Sequence, residues 1–142
     1  MDSGKKRKKR SSVSPTMRTL EFLRARGYMT GIVERYISAP HLPGGGKRID
    51  LFGTTDIIAI KRNQLWAIQS CGLAFSDHHQ KLYVEKNLEV CAWLDAGGRF
   101  ALIGWRKLLA KRGGKRKIWV PRIRLYELDE KGGLTWKDAE QN

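Results

Sequence analysis

Acidic residues are scarce in this chain. It has 14 Asp and Glu against 28 Lys and Arg in 142 residues, which gives a formal net charge of +14 at pH 7. An excess of this size favours a polyanionic partner over a protein that is merely soluble, because basic side chains that neutralise phosphates release counterions. A membrane surface is a weaker alternative, since no basic amphipathic helix stands out.

Cysteine is almost absent, with only Cys71 and Cys91. Both lie in apolar stretches, so they exclude a disulfide scaffold and predict reduced, buried thiols. Together with His78 and His79 they match the spacing of no standard zinc finger, so we expect no zinc site and two histidines at the surface.

Long apolar runs are also missing. None approaches the ~20 residues of a transmembrane helix, and no apolar segment follows the basic N-terminal run as a secretory signal requires. These absences predict a cytoplasmic protein with no membrane contact, either of a cell or of an element that replicates inside one.

The first 14 residues are of low complexity and predict a disordered basic arm, with a single domain over residues 15–142. The arm could bind DNA non-specifically, direct nuclear import or only solubilise the chain, and the charge elsewhere favours DNA binding. Its cations are Lys5, Lys6, Arg7, Lys8, Lys9 and Arg10.

The elements after the arm alternate in a way that predicts an α/β fold. Ser14 and Pro15 suit the N-cap and first position of a helix that Gly27 ends. Three apolar segments then predict strands at residues 28–37, 49–60 and 64–71. Three strands in succession form a meander.

A second helix is predicted to begin at Ser76. Its buried stripe would consist of Val84, Leu88, Cys91 and Leu94. A strand at 100–105, an edge strand at 118–128 and a short strand through Leu134 and Trp136 follow. The order α-β-β-β-α-β plus an extra strand predicts a central mixed β-sheet flanked by helices, because a helical crossover can return a strand parallel to its neighbour.

Two polar residues interrupt the paired apolar strands. Asp56 lies near the start of one strand and Gln69 in the middle of the next, where alternation puts Gln69 and Cys71 on one face. Carboxylate and amide oxygens suit a hard cation such as Mg²⁺, and in a basic chain this predicts metal-dependent cleavage of nucleic acid. The structural alternatives are a turn-capping Asp and a buried amide bonded to the backbone.

The element order and the pattern Asp56 … Gln69-Ser70-Cys71 resemble the PD-(D/E)XK nuclease superfamily, especially small members similar to Holliday-junction resolvases. The resemblance covers roughly residues 15–107 and implies a restriction-endonuclease-like core. It further implies that Asp56 and Gln69 bind Mg²⁺, with Mn²⁺ as a substitute, and that Glu34 is an additional acidic residue of the site.

The chain departs from the family at the position of the motif lysine, which Cys71 occupies. A thiol supplies no fixed positive charge and suits Mg²⁺ poorly. Lys81, on the following helix, is the first candidate to replace the motif lysine, and Lys61 is the second.

Asp50 is a further conspicuous acid. It could approach the metal, or it could only begin a strand and pair with Arg35 or Arg48. We favour the ion pair.

A basic loop is predicted from Arg106 to Lys117. Together with Trp105 before it and with Trp119, Arg122 and Arg124 beyond it, the loop interleaves cations with aromatic residues, a composition that suits phosphate contacts and stacking on unpaired bases. The predicted nucleic-acid contacts are Arg106, Lys107, Lys111, Arg112, Lys115, Arg116 and Lys117.

These features together predict a Mg²⁺-dependent DNA endonuclease, with branched DNA such as a Holliday junction as one candidate substrate. A branched substrate would call for a symmetric homodimer, since two strands must be cut. Two alternatives stay open: a catalytically inactive DNA-binding module on a nuclease fold, and a basic RNA-binding protein.

Overall fold

The computed structural model describes residues 13–139, and the cations of the predicted arm lie outside the described residues. The helices are α1 (Pro15–Ala25), α2 (Phe75–Gln80) and α3 (Asn87–Asp95). A π-helical turn, Lys81–Glu85, joins α2 to α3, and a 3₁₀ turn spans Pro43–Gly45. The strands are β1 (Met29–Ile32), β2 (Arg35–Ser38), β3 (Gly46–Ile49), β4 (Ile57–Lys61), β5 (Gln64–Cys71), β6 (Arg99–Leu109), β7 (Lys117–Leu128) and β8 (Leu134–Asp138).

A six-stranded mixed sheet with the order β1-β4-β5-β6-β7-β8 forms the centre of the fold. The helical crossover makes β5 and β6 parallel, and the other neighbours are antiparallel. The predicted α/β class with a mixed sheet flanked by helices is therefore confirmed. The prediction that residues 118–128 form an edge strand is wrong, because β8 pairs with β7 and buries Leu134.

The strand predicted over residues 28–37 is divided in two. Its first part, β1, pairs with β4, whereas β2 pairs with β3 in a separate two-stranded sheet. The division follows from the length of β4, which begins only at Ile57 and leaves nothing for the chain after Val33 to pair with. The strand predicted over 49–60 is likewise interrupted, because residues 51–55 form a tight turn in which Phe52 and Gly53 have φ of 56° and 70°.

Helices cover both faces of the sheet. The Ser14 hydroxyl accepts a hydrogen bond of 3.2 Å from the Met17 N–H, which confirms the predicted helix start. On the α1 face, the buried residues are Leu20, Leu23, Ile57, Ala59, Ile68, Ala101, Ile103 and Trp105. On the opposite face, which α2 and α3 cover, they are Ala67, Cys71, Phe75, Leu82, Val90, Phe100, Leu102, Tyr126 and Leu134.

The π-helical turn changes which side of the second helical segment is buried. Lys86 donates its N–H to the carbonyl of Lys81 at 2.8 Å, five residues back, so one extra residue enters the turn. The extra residue brings Leu82 and Val90 onto one face of the helical segment. In a regular α-helix, two residues that are eight positions apart would point about 80° away from each other. The predicted stripe is therefore wrong at Val84 and Leu88, which are 55% and 80% exposed.

This register makes a direct prediction. Val90→Ala is expected to lower the free energy of unfolding by about 2 kcal/mol, since it removes two buried methyl groups from a fully enclosed position. Leu88→Ala, two residues earlier and exposed, is expected to change it by less than about 0.5 kcal/mol. Chemical denaturation of both variants measures the difference, and equal losses would contradict the rotated register.

β6 and β7 continue beyond the rest of the sheet. The last residue of β6 that pairs with β5 is Gly104, opposite Cys71, but β6 and β7 stay paired with each other as far as Leu109 and Lys117. We call residues 105–121 the basic ribbon. The predicted basic loop is therefore partly strand, because β6 continues to Leu109 and β7 begins at Lys117, and residues 110–116 form the connection between them.

Within residues 13–139, no helix has the length and apolar composition that crossing a membrane requires.

Candidate functional site

Asp56 and Gln69 are buried side by side where β4 begins. Each is 3% exposed. The Asp56 N–H donates to the carbonyl of Ile68 at 3.0 Å, which fixes the carboxyl group against β5. The Gln69 amide nitrogen donates to Oδ2 of Asp56 at 3.1 Å, and the N–H of Ser70 donates to both carboxyl oxygens at 3.2 and 3.1 Å. The two residues proposed from their positions on paired strands thus share one polar site.

The other half of the Gln69 amide lacks a partner. Its Oε1 is buried and accepts no hydrogen bond from any residue of the described chain. A buried acceptor without a donor is unfavourable by about 1–3 kcal/mol. An amide oxygen without a hydrogen-bond donor, next to a carboxylate, offers the oxygen ligands that a hard cation binds.

The Asp56 carboxyl is held close to its titration point at neutral pH. Burial raises its pKa to about 7, against an ordinary value of 3.8. The Ser70 N–H opposes this effect, whereas the negative charges of Asp50 and Glu34 add to it. A bound cation would reverse the balance, because a positive charge stabilises the ionised carboxylate.

Glu34 and Lys81 approach the same site through ion pairs. A Glu34 oxygen lies 3.8 Å from Nη1 of Arg48, and Nζ of Lys81 lies 3.7 Å from Oδ2 of Asp50. The expectation that Asp50 pairs with Arg35 or Arg48 is therefore wrong. The pairing of β2 with β3 places Arg48 opposite Tyr36, which leaves it on the side of Glu34.

Lys61 is not part of the site. Its Nζ donates to the carbonyl of Arg26 at 2.6 Å and lies above the ring of Tyr28. It stands at the far end of β4, five residues from Asp56, which corresponds to about 16 Å of extended chain. Of the two lysines considered, only Lys81 lies near the acidic residues.

Cys71 is a buried thiol on the same face as Gln69. Burial raises its pKa to about 12, the Asp56 charge adds to the shift, and Arg122 opposes it. A thiol that stays protonated cannot replace a lysine as a charge, and it is a poor ligand for a hard cation.

Both histidines are half-buried, which corrects the expectation that they lie at the surface. His78 has a buried Nδ1 without a partner in the described residues, and its pKa is lowered by burial and by Lys81. His79 stacks on Tyr83 and Tyr126 and shares a hydrogen bond of 2.8 Å with the Tyr126 hydroxyl.

The acidic groups do not form a closed metal cage. Between residues 13 and 139, no three His, Cys, Asp or Glu side chains lie close enough together to hold a metal ion. A cation at Asp56 would therefore be held by that carboxylate, by the Gln69 amide oxygen and by ligands from outside the chain.

On the opposite face of the sheet, a row of hydrogen-bonded side chains holds β5 against α1. The Ser70 hydroxyl lies 2.7 Å from the hydroxyl of Thr19, which accepts a hydrogen bond of 2.9 Å from the Trp105 indole N–H. Ser70 thus binds α1 with its side chain while its backbone N–H holds Asp56. No pattern in the sequence indicates this role of Ser70, because it depends on a backbone group.

The Asp56–Gln69 site and the basic ribbon lie at the same end of the strands of the sheet. Ser70 pairs with Ile103 and Cys71 with Gly104, and the ribbon starts at the next residue. α1 also begins at this edge, where Arg18 lies 4.0 Å above the ring of Trp119. The ribbon and the acidic pair thus lie at the same end of the sheet although 50 residues of sequence separate Asp56 from Arg106.

Comparisons of this chain with models of protein families, with curated proteins and with solved structures each found no match.

Proposed function

We propose that this protein is a metal-dependent DNA endonuclease of the PD-(D/E)XK type. The observation that carries the proposal is the buried pair of Asp56 and Gln69, whose unpartnered oxygen lies at the edge of the sheet from which the basic ribbon projects. The order of the strands and of the helical crossover in the six-stranded sheet also supports a nuclease-like core.

The proposed metal ligands are Asp56 and Gln69, with Mg²⁺, or Mn²⁺ in its place, as the cofactor. The chemistry of the residues fits a hard cation, because both offer oxygen and one of these oxygens has no protein donor. Such an ion supplies positive charge to the scissile phosphate and lowers the pKa of bound water. The Ser70 N–H orients the Asp56 carboxylate, and Glu34 lies close enough to act on its charge.

Lys81 is proposed to supply the positive charge that the Cys71 position lacks. Its side chain is 32% exposed, and its ammonium group already lies 3.7 Å from the Asp50 carboxylate. An ammonium group there can donate a hydrogen bond to a phosphate oxygen or orient the attacking water.

The basic ribbon and the N-terminal arm are proposed to hold the DNA backbone. The ribbon carries seven of the predicted contacts within twelve residues. Cations at this density bind phosphates regardless of sequence. A Holliday junction or another branched DNA is the proposed substrate, and two copies of the chain would then cut its two strands.

The proposal is tested by incubating the protein with labelled four-way junction, duplex and single-stranded DNA in Mg²⁺, in Mn²⁺ and in EDTA. Cleavage that needs the metal supports the nuclease, and the preferred DNA defines its substrate. Binding without cleavage in every metal would identify a DNA-binding module that has lost its chemistry. A preference for RNA of matched structure, again without cleavage, would identify an RNA-binding protein.

Gln69 allows a sharper prediction, because Glu and Leu are both similar in size to Gln, but only Glu offers a cation an oxygen ligand. Gln69→Glu is expected to keep the Mg²⁺-dependent cleavage rate within about tenfold, since a carboxylate oxygen replaces the amide oxygen. Gln69→Leu is expected to lower it by about 100-fold or more, the size of losing one charge-stabilising group. Equal rates for the two variants would exclude Gln69 as a ligand.

A further inference from the structure

A cavity of about 170 Å³ lies between the β5–α2 loop and the base of the basic ribbon. Two arginines, Arg106 and Arg122, line it together with apolar walls that include Leu73 and Phe75. The cavity is close to the candidate site, because the Cys71 thiol is influenced by the charges of both Asp56 and Arg122.

Both arginines lie on the face of the sheet that carries the acidic pair. Arg122 pairs with Gly104, whose neighbour across the parallel ladder is Cys71, and its guanidinium lies 4.1 Å above the ring of Phe75. Arg106 follows Gly104 by two residues and therefore shares its face. Among the ribbon's other cations, Lys107 alternates to the opposite face.

Gly104 shapes the floor of this cavity. A Cβ at Gly104 would lie 2.5 Å from Cδ2 of Phe75 and 3.2 Å from the Cys71 sulfur. The absence of a side chain lets the Phe75 ring approach β6 closely, and Phe75 in turn supports the Arg122 guanidinium. An arginine held against an aromatic ring loses less side-chain freedom when it binds an anion.

Neither arginine forms an ion pair with an acid among residues 13–139. The nearest acidic strand is β8, but Asp138 is engaged by Arg124, which donates two hydrogen bonds of 2.8 and 3.1 Å to its carboxylate. The charges of Arg106 and Arg122 are therefore available to a ligand. A planar guanidinium suits a phosphate, which it can bind with two parallel hydrogen bonds.

We propose that Arg106 and Arg122 form a phosphate-binding site for the backbone of the DNA strand that is cut at Asp56. Three strand spacings separate β4 from β7, so the bound phosphate would lie about 15 Å from the carboxylate. It therefore belongs to a nucleotide a short distance along the same strand. The position relative to the cut rests on the proposed function, whereas the binding of a backbone phosphate does not.

The test compares DNA binding by Arg106→Gln/Arg122→Gln and by Arg99→Gln, in EDTA so that no cleavage occurs. Arg99 is a matched control, because it is an exposed arginine on the same strand β6 at the opposite end of the sheet. Affinity for a labelled oligonucleotide is measured over a range of NaCl concentrations. The double variant is expected to bind at least about tenfold more weakly and to lower the salt slope by about 1 to 2, the loss of two phosphate contacts.

Arg106→Gln alone guards against misfolding, because this side chain is exposed and its loss leaves Phe75 and Arg122 undisturbed. It is expected to give about half of the change in salt slope. Variants that bind with the affinity and slope of Arg99→Gln would overturn the site. Displacement of DNA by millimolar inorganic phosphate that is equally effective for the wild-type protein and for the double variant would also overturn it, since the phosphate would then compete with DNA elsewhere on the protein.

The binding result and the proposed function fail separately. A wild-type protein that cuts no DNA in Mg²⁺ or Mn²⁺, but whose binding still depends on Arg106 and Arg122, would refute the nuclease and keep the phosphate site. A protein that cuts DNA, and whose binding is indifferent to both arginines, would refute the phosphate site and keep the nuclease.

Discussion

Asp56→Asn is expected to lower the rate of Mg²⁺-dependent DNA cleavage by at least about 100- to 1,000-fold and to leave DNA binding in EDTA unchanged. The variant removes the negative charge that would hold the cation, and an amide cannot replace a charged ligand for a hard ion. DNA binding is expected to be unaffected because it depends on the cations of the basic ribbon, and neither Asp56 nor Gln69 belongs to the ribbon. Cleavage of labelled DNA and a binding titration on the same preparation measure the two effects.

The surrounding hydrogen bonds accommodate the asparagine. Its Oδ1 can still accept from the Ser70 N–H, and the Gln69 amide can turn so that Oε1 accepts from the new Nδ2. The turn would give Gln69 Oε1 the donor that it lacks in the wild-type protein. A loss of cleavage in Asp56→Asn therefore reports on the charge and not on the fold.

Asp95→Asn is the matched control. Asp95 is the exposed last residue of α3 and makes no contact with the site, so the same change of charge there should leave cleavage unaltered. A rate for Asp56→Asn within about tenfold of that control would remove Asp56 from the catalytic machinery.

The adjacency of Asp56 and Gln69 could be predicted from the sequence, because local rules determine it. Two apolar runs joined by a short polar turn must pair as a hairpin. The alternation of side chains then decides which residues share a face. The structure adds what this rule cannot supply, the second bond from the Ser70 N–H and the orientation of the amide.

The environment of Lys81 could not be predicted in the same way. The sequence predicts a regular helix, whereas the π-helical turn from Lys81 to Glu85 rotates every later residue of the helical segment. The ion pair with Asp50 depends on that turn and on a loop in which Phe52 has a positive φ, a conformation that non-glycine residues seldom adopt. Neither leaves a periodic signal in the sequence.

The separate environments of Arg122 and Arg124 could not be predicted, for a related reason. Both lie on a strand with the alternation expected of a half-buried surface, and nothing local distinguishes one from the other. Arg124 is 6% exposed and bound to Asp138, whereas Arg122 lines a cavity. The difference is set by β8 and by Gly104, which are distant in sequence, so only the assembled sheet distinguishes the two arginines.

The metal-free protein is expected to lose stability as the pH rises from about 4 to about 7, because the buried Asp56 carboxyl loses its proton only near the upper end of this range. Its folded pKa of about 7 is raised above the ordinary 3.8, so the folded state binds the proton more tightly than the unfolded state. The stabilisation is fully present below pH 3.8 and is lost as the pH rises through 7. The two values correspond to as much as ~4 kcal/mol.

The difference between the wild-type protein and Asp56→Asn isolates this contribution. The lowered pKa values of His78 and His79 act in the opposite direction, since a histidine kept neutral by the fold stabilises it above its unfolded pKa and loses that effect as the pH falls. Both proteins contain these histidines, so their contribution cancels when the two unfolding free energies are subtracted. Denaturant unfolding in EDTA at pH 5 and pH 8 should show the stability of the wild-type protein, relative to that of Asp56→Asn, falling by a few kcal/mol between the two pH values. A difference that stays constant would mean that Asp56 titrates normally, and the buried carboxyl would then be ionised throughout that range.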